Sequence, residues 1–313
     1  MFGFVVNRLL ATIPVMMIVT IFVFLFLRLA PGDPAAVLAG DNGSPQQIIE
    51  IRERLGLNQP VLVQFGTWIL GIAKGDFGKS YFFKKQVSEL ILLRVEPTIA
   101  LATTTLIITI LVAIPIGVIA AYKHDTWIDW IIMTLSVVGF SIPAFVLGYI
   151  LIYLFAIEIN LFPVQGYKPL AEGFWPFLHQ LILPSLTISA IYIALIARIT
   201  RASILEVLGE DYIRTAYAKG LKPNSVLLKH ALRNAAVPIV TVIGIGIALL
   251  TGGVIVTESV YNIPGIGRLI VDAVLNRDYP TIQAIVILFS FFYVIVNLLV
   301  DLTYSLLDPR IRY

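Results

Sequence analysis

Residues 97–122 read PTIALATTTLIITILVAIPIGVIAAY, twenty-six positions without a charged side chain, closed by Glu96 on one side and Lys123 on the other. As a helix the run is about 39 Å long at 1.5 Å per residue, more than the roughly 30 Å of a bilayer's hydrocarbon core. Lipid offers no water to backbone amides, so a segment of this kind must bond them within itself. The whole chain carries the same signature. Of its 313 residues 58% are hydrophobic and only 13% charged, with a mean hydropathy of +0.92. Soluble domains carry about a quarter charged residues, so the chain reads as an all-α integral membrane protein. A soluble enzyme and a disordered chain are excluded, and the absence of cysteine excludes disulfide scaffolds, thiolate chemistry, zinc-thiolate sites and Fe–S clusters. No run of Lys or Arg marks a nucleic-acid partner.

Five further uncharged runs accompany the first: Leu9–Leu27, Trp130–Ile157, Gly173–Ala197, Asn234–Thr257 and Tyr279–Val300. With Pro184 expected to place the fourth helix proper after it, the spans are set at about 9–27, 97–122, 130–157, 180–197, 235–257 and 279–300. The first is read as a membrane anchor. It is longer than the apolar core of a secretory signal, and Arg28-Leu29-Ala30-Pro31 makes a poor cleavage site. Six spans put both termini on one side. With the termini inside, the inner segments hold eleven Lys and Arg. The outer ones hold three, apart from the 69-residue segment 28–96, which is long enough to cross regardless of its charge. Both termini are therefore expected to be cytoplasmic. Residues 28–96, with a helical stretch at Gln46–Leu55 and turns at Gly75, Asp76 and Gly78, become an extracytoplasmic cap. Residues 198–234 become a cytoplasmic loop.

Inside that loop, Glu210-Asp211-Tyr212-Ile213-Arg214-Thr215-Ala216-Tyr217-Ala218-Lys219-Gly220 predicts a short helix. Acids at its start and Lys219 and Lys222 near its end complement the helix dipole, and Gly220 with Pro223 marks the stop. Asn224 or Ser225 is expected to cap a second helix from Val226 to Ala236. Tyr212, Ala216 and Tyr217 are expected to offer a packing face, and Asp211 and Arg214 charge contacts.

Arg214-Thr215-Ala216, Gly220 and His230-Ala231-Leu232-Arg233 resemble the cytoplasmic EAA-type loop of ABC importer permeases, with Arg and Thr in place of the first Glu and Ala and Arg233 in place of a proline. The resemblance extends over essentially the whole chain to the peptide, nickel and glutathione branch of type I importers, the dipeptide and oligopeptide permease B-like subunits. It is carried by Leu29-Ala30-Pro31-Gly32-Asp33-Pro34, Leu55-Gly56-Leu57-Asn58-Gln59-Pro60, Gly75-Asp76-Phe77-Gly78, Ser141-Ile142-Pro143-Ala144-Phe145, Glu210-Asp211-Tyr212 and Lys229-His230-Ala231-Leu232-Arg233-Asn234. Glu258-Ser259-Val260-Tyr261-Asn262-Ile263-Pro264-Gly265-Ile266-Gly267 and Asp308-Pro309-Arg310-Ile311-Arg312-Tyr313 complete it. The resemblance implies six spans in the type I importer fold, in a bacterial or archaeal inner membrane. It also implies a homologous second permease, two cytoplasmic ATPase subunits and an extracytoplasmic solute-binding protein. ATP and Mg would sit on the ATPases, the solute would be a peptide, and the loop helix would seat in an ATPase cleft.

The residues agree that no catalysis resides in this chain. Gly78-Lys79-Ser80 ends a phosphate-loop pattern, but its first position is Ala73 and no strand precedes it. His124, His179 and His230 fall in different loops or span edges, so neither a hydrolase nor a metal site is expected. The six runs hold no Asp, Glu, Lys or Arg, which weighs against an ion-coupled carrier, the alternative reading; nickel or an oligosaccharide are alternative solutes. Pro115, Pro143, Pro184 and Gly244, Gly246, Gly252 and Gly253 could open the helices, although packing through small residues is the simpler reading. Polar side chains that could line a path are Ser136, Ser141, Tyr149, Tyr153, Thr241, Thr251 and Asn297.

Overall fold

The computed structural model describes residues 2–29, 33–40 and 43–307. Ala30-Pro31-Gly32 of one sequence block and the whole of the block from Asp308 to Tyr313 lie outside the described residues. The chain is helical throughout, with no sheet among the described residues and a lone antiparallel bridge between Lys79 and Gln86. Its helices are α1 (Phe2–Leu29), α2 (Pro34–Ala39), α3 (Pro45–Arg54), α4 (Val61–Ala73), α5 (Val87–Tyr122), α6 (Trp127–Ser141) and α7 (Ala144–Leu151), which continues as a π-helical stretch to Glu158. There follow α8 (Phe174–Leu208), α9 (Asp211–Ala218), α10 (Pro223–Ser225), α11 (Leu232–Asn234), α12 (Ala236–Val260), α13 (Ile266–Leu275) and α14 (Tyr279–Leu307).

Four of these, α5, α8, α12 and the Tyr279–Thr303 part of α14, are long and apolar enough to cross a membrane. A fifth span is gained if the pair Trp127–Ser141 and Ala144–Glu158 is counted as one. Leu10–Phe26 within α1 is a shorter apolar helix.

Two expectations about prolines are corrected. The third run is not one straight helix, because its halves meet at 104°. Pro143 forces Ile142 into extended backbone, φ −86° and ψ 122°, and the ladder of hydrogen bonds breaks there. The fourth run behaves oppositely. Pro184 is buried inside a continuous α8 that begins at Phe174 and runs beyond the apolar stretch to Leu208. A proline costs a helix one amide bond, and neighbouring helices can hold the axis through it.

By internal contacts the chain forms two units, Pro97–Gly267 with the chain from Ile295, and Phe2–Glu96 with Arg268–Val294. In the first, α8 packs against α6, α7 and α12 around a core that includes Leu101, Leu181, Ile188, Ile196, Tyr261 and Ile263. Lipid is as apolar as leucine, so close fit rather than water exclusion must hold such helices together. At Gly117 of α5 an added Cβ would lie 2.6 Å from the Thr200 Cβ and 2.7 Å from the Ala197 carbonyl oxygen of α8, an approach only glycine allows. Buried Tyr261 bonds the Thr187 hydroxyl at 2.8 Å and donates to the Gly148 carbonyl at 3.3 Å, tying the end of α12 to α7 and α8.

In the second unit, α2 and α3 begin as their sequences dictate. Asp33 accepts from the Ala35 amide ahead of Pro34, and Ser44 forms a reciprocal capping box with Gln47 ahead of Pro45. The apolar helix α4 was not anticipated from the sequence. Asp278, fully buried, accepts from the Ser80 hydroxyl (2.5 Å), the Tyr81 amide (2.8 Å) and the Thr281 hydroxyl (2.8 Å), so it pins the chain before α5 to the start of α14. Ser80 is committed to that cluster and also receives the Phe83 amide, which leaves the Gly78-Lys79-Ser80 sequence in a structural turn.

Candidate functional site

The connection between α8 and α12 is a built object. Its centre is α9, DYIRTAYA, preceded by Glu210 in extended backbone that makes no side-chain cap bond. Its end is a Schellman motif: the Leu221 amide donates to the Ala216 carbonyl at 3.3 Å and the Gly220 amide to the Tyr217 carbonyl at 2.9 Å, with Gly220 at φ +80°. Lys219 is the exposed C-cap.

Ile213 and Ala216, three residues apart and therefore on one face, are buried against Val226, with Val207 and Leu208 of α8 packed beside them. Removing an Ile-sized side chain from solvent contributes about 1.5–3 kcal/mol, and that contact seats the helix. Ala216, expected on the outward packing face, is thus turned inward. The outward face holds Asp211 and Arg214, joined by an exposed ion pair at 3.3 Å, together with Thr215, Tyr212 and Tyr217. Tyr212 and Tyr217 stay 42% and 45% exposed, enough ring surface to cover with a partner. The Tyr212 hydroxyl accepts from the Asn234 side-chain amide at 2.9 Å, which ties α9 to the approach to α12.

Beyond the turn, the expected second helix does form, in three pieces. Neither Asn224 nor Ser225 caps it; it starts at Pro223 and passes through a π-helical turn, Val226–Ala231, into α11. That turn buries Leu227 and Ala231 against Val118 and Ala121 of α5, Ile204 of α8 and Ile239 of α12. Val226 is therefore the stone between α9 and three long helices: one side of its turn carries Ile213, the other the ends of α5, α8 and α12.

A second charged cluster lies beside α8. Asp129, in the first turn of α6 and 1% exposed, receives Arg201 through two bonds of 2.6 Å and the Asp125 amide at 3.2 Å. His124 stands 3.1 Å from the guanidinium and 3.3 Å from the carboxylate. His124, Asp125 and Asp129 come close enough together to hold a metal ion, but Arg201 already supplies the positive charge there. At the far end of α12, fully buried Glu258 accepts from the Thr98 hydroxyl at 2.6 Å, and Thr98 in turn receives the Ile266 amide at 2.8 Å. Asp129, Arg201, Glu258 and Asp278 were not singled out from the sequence. Asp129, Glu258 and Asp278 gave one signal of position, a charge abutting an apolar run, and Glu258 also stands in a block that carries the family resemblance; Arg201 lies four residues past the end of its run.

The path candidates are not gathered into one cavity. Ser136, Ser141 and Thr241 bond the carbonyls of Ile132, Val137 and Val237 one turn back, and Thr251 bonds that of Ala248. Tyr149 and Tyr153 stand on exposed faces, 59% and 54% accessible, and Asn297 lies on α14.

Two family models match the sequence. Residues 113–313 match the family described as binding-protein-dependent transport system inner membrane component, and residues 1–102 match its N-terminal membrane component. A probable peptide ABC transporter permease protein of Sinorhizobium fredii is 54% identical over 310 residues, 99% of each chain. A glutathione transport system permease protein of Salmonella choleraesuis is 46% identical over 313 residues, the full length of both.

Proposed function

The chain belongs to the family of binding-protein-dependent transport system inner membrane components, a non-catalytic part of an ABC transporter, and from that premise we propose that it is the permease subunit of an ATP-driven importer of short peptides, including glutathione-like ones. Full-length similarity to permeases named for peptides and for glutathione supports the solute class. In this reading the chain crosses the membrane six times with both termini in the cytoplasm, the Trp127–Glu158 pair making one broken crossing. Residues 28–96 form the extracytoplasmic cap, and residues 198–234 the cytoplasmic coupling loop. A homologous permease completes the membrane part, two ATPase subunits bind ATP and Mg, and an extracytoplasmic protein delivers the solute.

The observation that carries the mechanism is the seat of α9. Its outward face, Asp211, Tyr212, Arg214, Thr215 and Tyr217, is the surface that docks in an ATPase cleft, with Glu210 and Lys219 flanking it and Gly220 setting the exit. Ala216 acts from beneath, holding the helix on Val226. When the ATPases close, α9 moves with them. Its displacement reaches α5, α8 and α12 through Val226, Leu227 and Ala231, because a packed contact transmits strain instead of absorbing it. The polar side chains Ser136, Ser141, Tyr149, Tyr153, Thr241, Thr251 and Asn297 are kept as path positions.

Co-reconstitution tests this. Uptake of a labelled dipeptide into vesicles should require this chain, its partner permease, both ATPases, the binding protein and ATP together. Uptake by this chain alone, driven by a proton or sodium gradient, would refute the proposal.

A further inference from the structure

A hollow of about 540 Å³ opens within the unit Phe2–Glu96 with Arg268–Val294, between the end of α1, α3, α4, the turn at Asp76–Gly78 and the start of α14. Its size falls in the range of small-ligand sites, about 300–1,000 Å³. Unlike an apolar crevice, it presents both signs of charge beside aromatic surface: Arg28, Glu53, Asp76 and Tyr81 with Trp68.

Arg28 is held ready. Its guanidinium lies 3.6 Å over the Phe24 ring, and its Nε and Nη2 both donate to the Gln64 Oε1, at 3.1 and 2.5 Å. Gln64 is itself oriented, since its amide nitrogen donates to the Leu57 and Gln59 carbonyls at 3.1 and 2.7 Å. A guanidinium has five N–H donors. Gln64 takes two, and no carboxylate pairs with Arg28 among the described residues, so part of the fork that suits a carboxylate stays open. Burial, with Asp278 nearby, pushes the Tyr81 hydroxyl up to about 12, so it remains a neutral donor, and it meets no acceptor among the described residues. On the anionic side, Glu53 has no partner among the described residues, and Asp76 gives only its Oδ1 to the Gly78 amide, at 2.9 Å. Trp68, half-buried, is the aromatic part of the wall; Phe24, 5.3 Å from it between ring centroids and fully buried, backs it and Arg28 from beneath.

We propose that this hollow is a holding site for a short peptide in its zwitterionic form, taking the α-carboxylate on the Arg28 fork, the α-ammonium on Glu53 or Asp76, and an apolar side chain against Trp68. The inference rests on the peptide reading above and adds a station that the chain itself provides outside the spans. An inorganic anion would leave both carboxylates unanswered, and a fatty chain would leave all four polar groups so.

The test is equilibrium binding of labelled alanyl-phenylalanine to the assembled permeases and ATPases in nanodiscs, without the binding protein. Saturable binding is expected, with the C-terminal amide binding about tenfold or more weakly. Arg28→Gln should weaken the free acid about ten- to hundredfold, the effect of losing charge-assisted hydrogen bonds, and leave the amide unchanged. Thr67→Trp, from an exposed position on α4 that lines the hollow, should block both ligands while sparing the Arg28–Gln64 contact. Absence of saturable binding at millimolar peptide, equal binding of acid and amide, or displacement by phosphoethanolamine as effective as by peptide would overturn the proposal. Uptake by the full system separates the two claims. If peptide uptake persists without binding in the hollow, only the holding site falls; if the system moves no peptide, the peptide reading falls with it.

Discussion

Gly220 is the position where a single atom should matter most. At φ +80° it occupies the left-handed region, and an added Cβ would meet nothing within 4 Å. Any cost of substitution must then come from the backbone alone, about 1–2 kcal/mol for an L residue held there. That energy acts on a small element. The two bonds that close α9, Leu221 to Ala216 and Gly220 to Tyr217, depend on this conformation, and the helix is held otherwise by Ile213 and Ala216 beneath it and by the Tyr212–Asn234 bond. A loss of 1–2 kcal/mol raises the open population of the hairpin about 5- to 30-fold. Gly220→Ala and Gly220→Leu should therefore be equally harmful, Gly220→Val worse because a β-branched side chain suits left-handed backbone least, and Gly220→Asn close to wild type. Hydrogen exchange at the Gly220 and Leu221 amides reads the local opening, and ATP-driven uptake reads its consequence; the two should fall in the same order. Damage that grows with side-chain size, or Asn as harmful as Val, would show that the glycine serves a tight contact and that the backbone argument is wrong.

Two further outcomes follow from the buried carboxylates. Asp129→Asn leaves Arg201 without its counter-ion and should destabilise the protein by about 2–4 kcal/mol, below the usual loss for a fully buried pair because the Arg201 side chain stays 22% exposed. Replacing both residues by leucine should recover most of the loss in a thermal unfolding scan. Gly265→Ala drives a methyl into the Glu258 carboxylate, which must leave Thr98, at a cost of about 1–3 kcal/mol. Combining it with Glu258→Ala should cost less than the sum of the two single changes.

The helical, membrane-crossing character was legible because it depends on local quantities, the length of an uncharged run and the charges that close it. The end of α9 was legible for the same reason: a glycine followed by a proline beyond it has one economical reading. What was lost depends on partners far along the chain. Pro143 and Pro184 look alike in sequence, yet one breaks a helix and the other lies in α8, the most buried of the four long apolar helices. Apolar runs mark where lipid begins, so α8 was cut at Ala197 although its backbone continues to Leu208. The acidic residues Asp129, Glu258 and Asp278 could not be paired from sequence, since their partners lie 72, 160 and 198 positions away. In the site itself, the face of α9 that turns inward is fixed by Val226 across the hairpin, and a charge-and-spacing argument on α9 alone cannot find it.

The most direct test of coupling uses the absence of cysteine from the sequence. A single Thr215→Cys, on the exposed face of α9, can carry a photo-activated cross-linker in the assembled, transport-competent complex. The account predicts adducts with an ATPase subunit from this position, and none from an Ala216→Cys variant whose side chain faces Val226. Full ATP-driven uptake with no ATPase adduct at position 215 would contradict it.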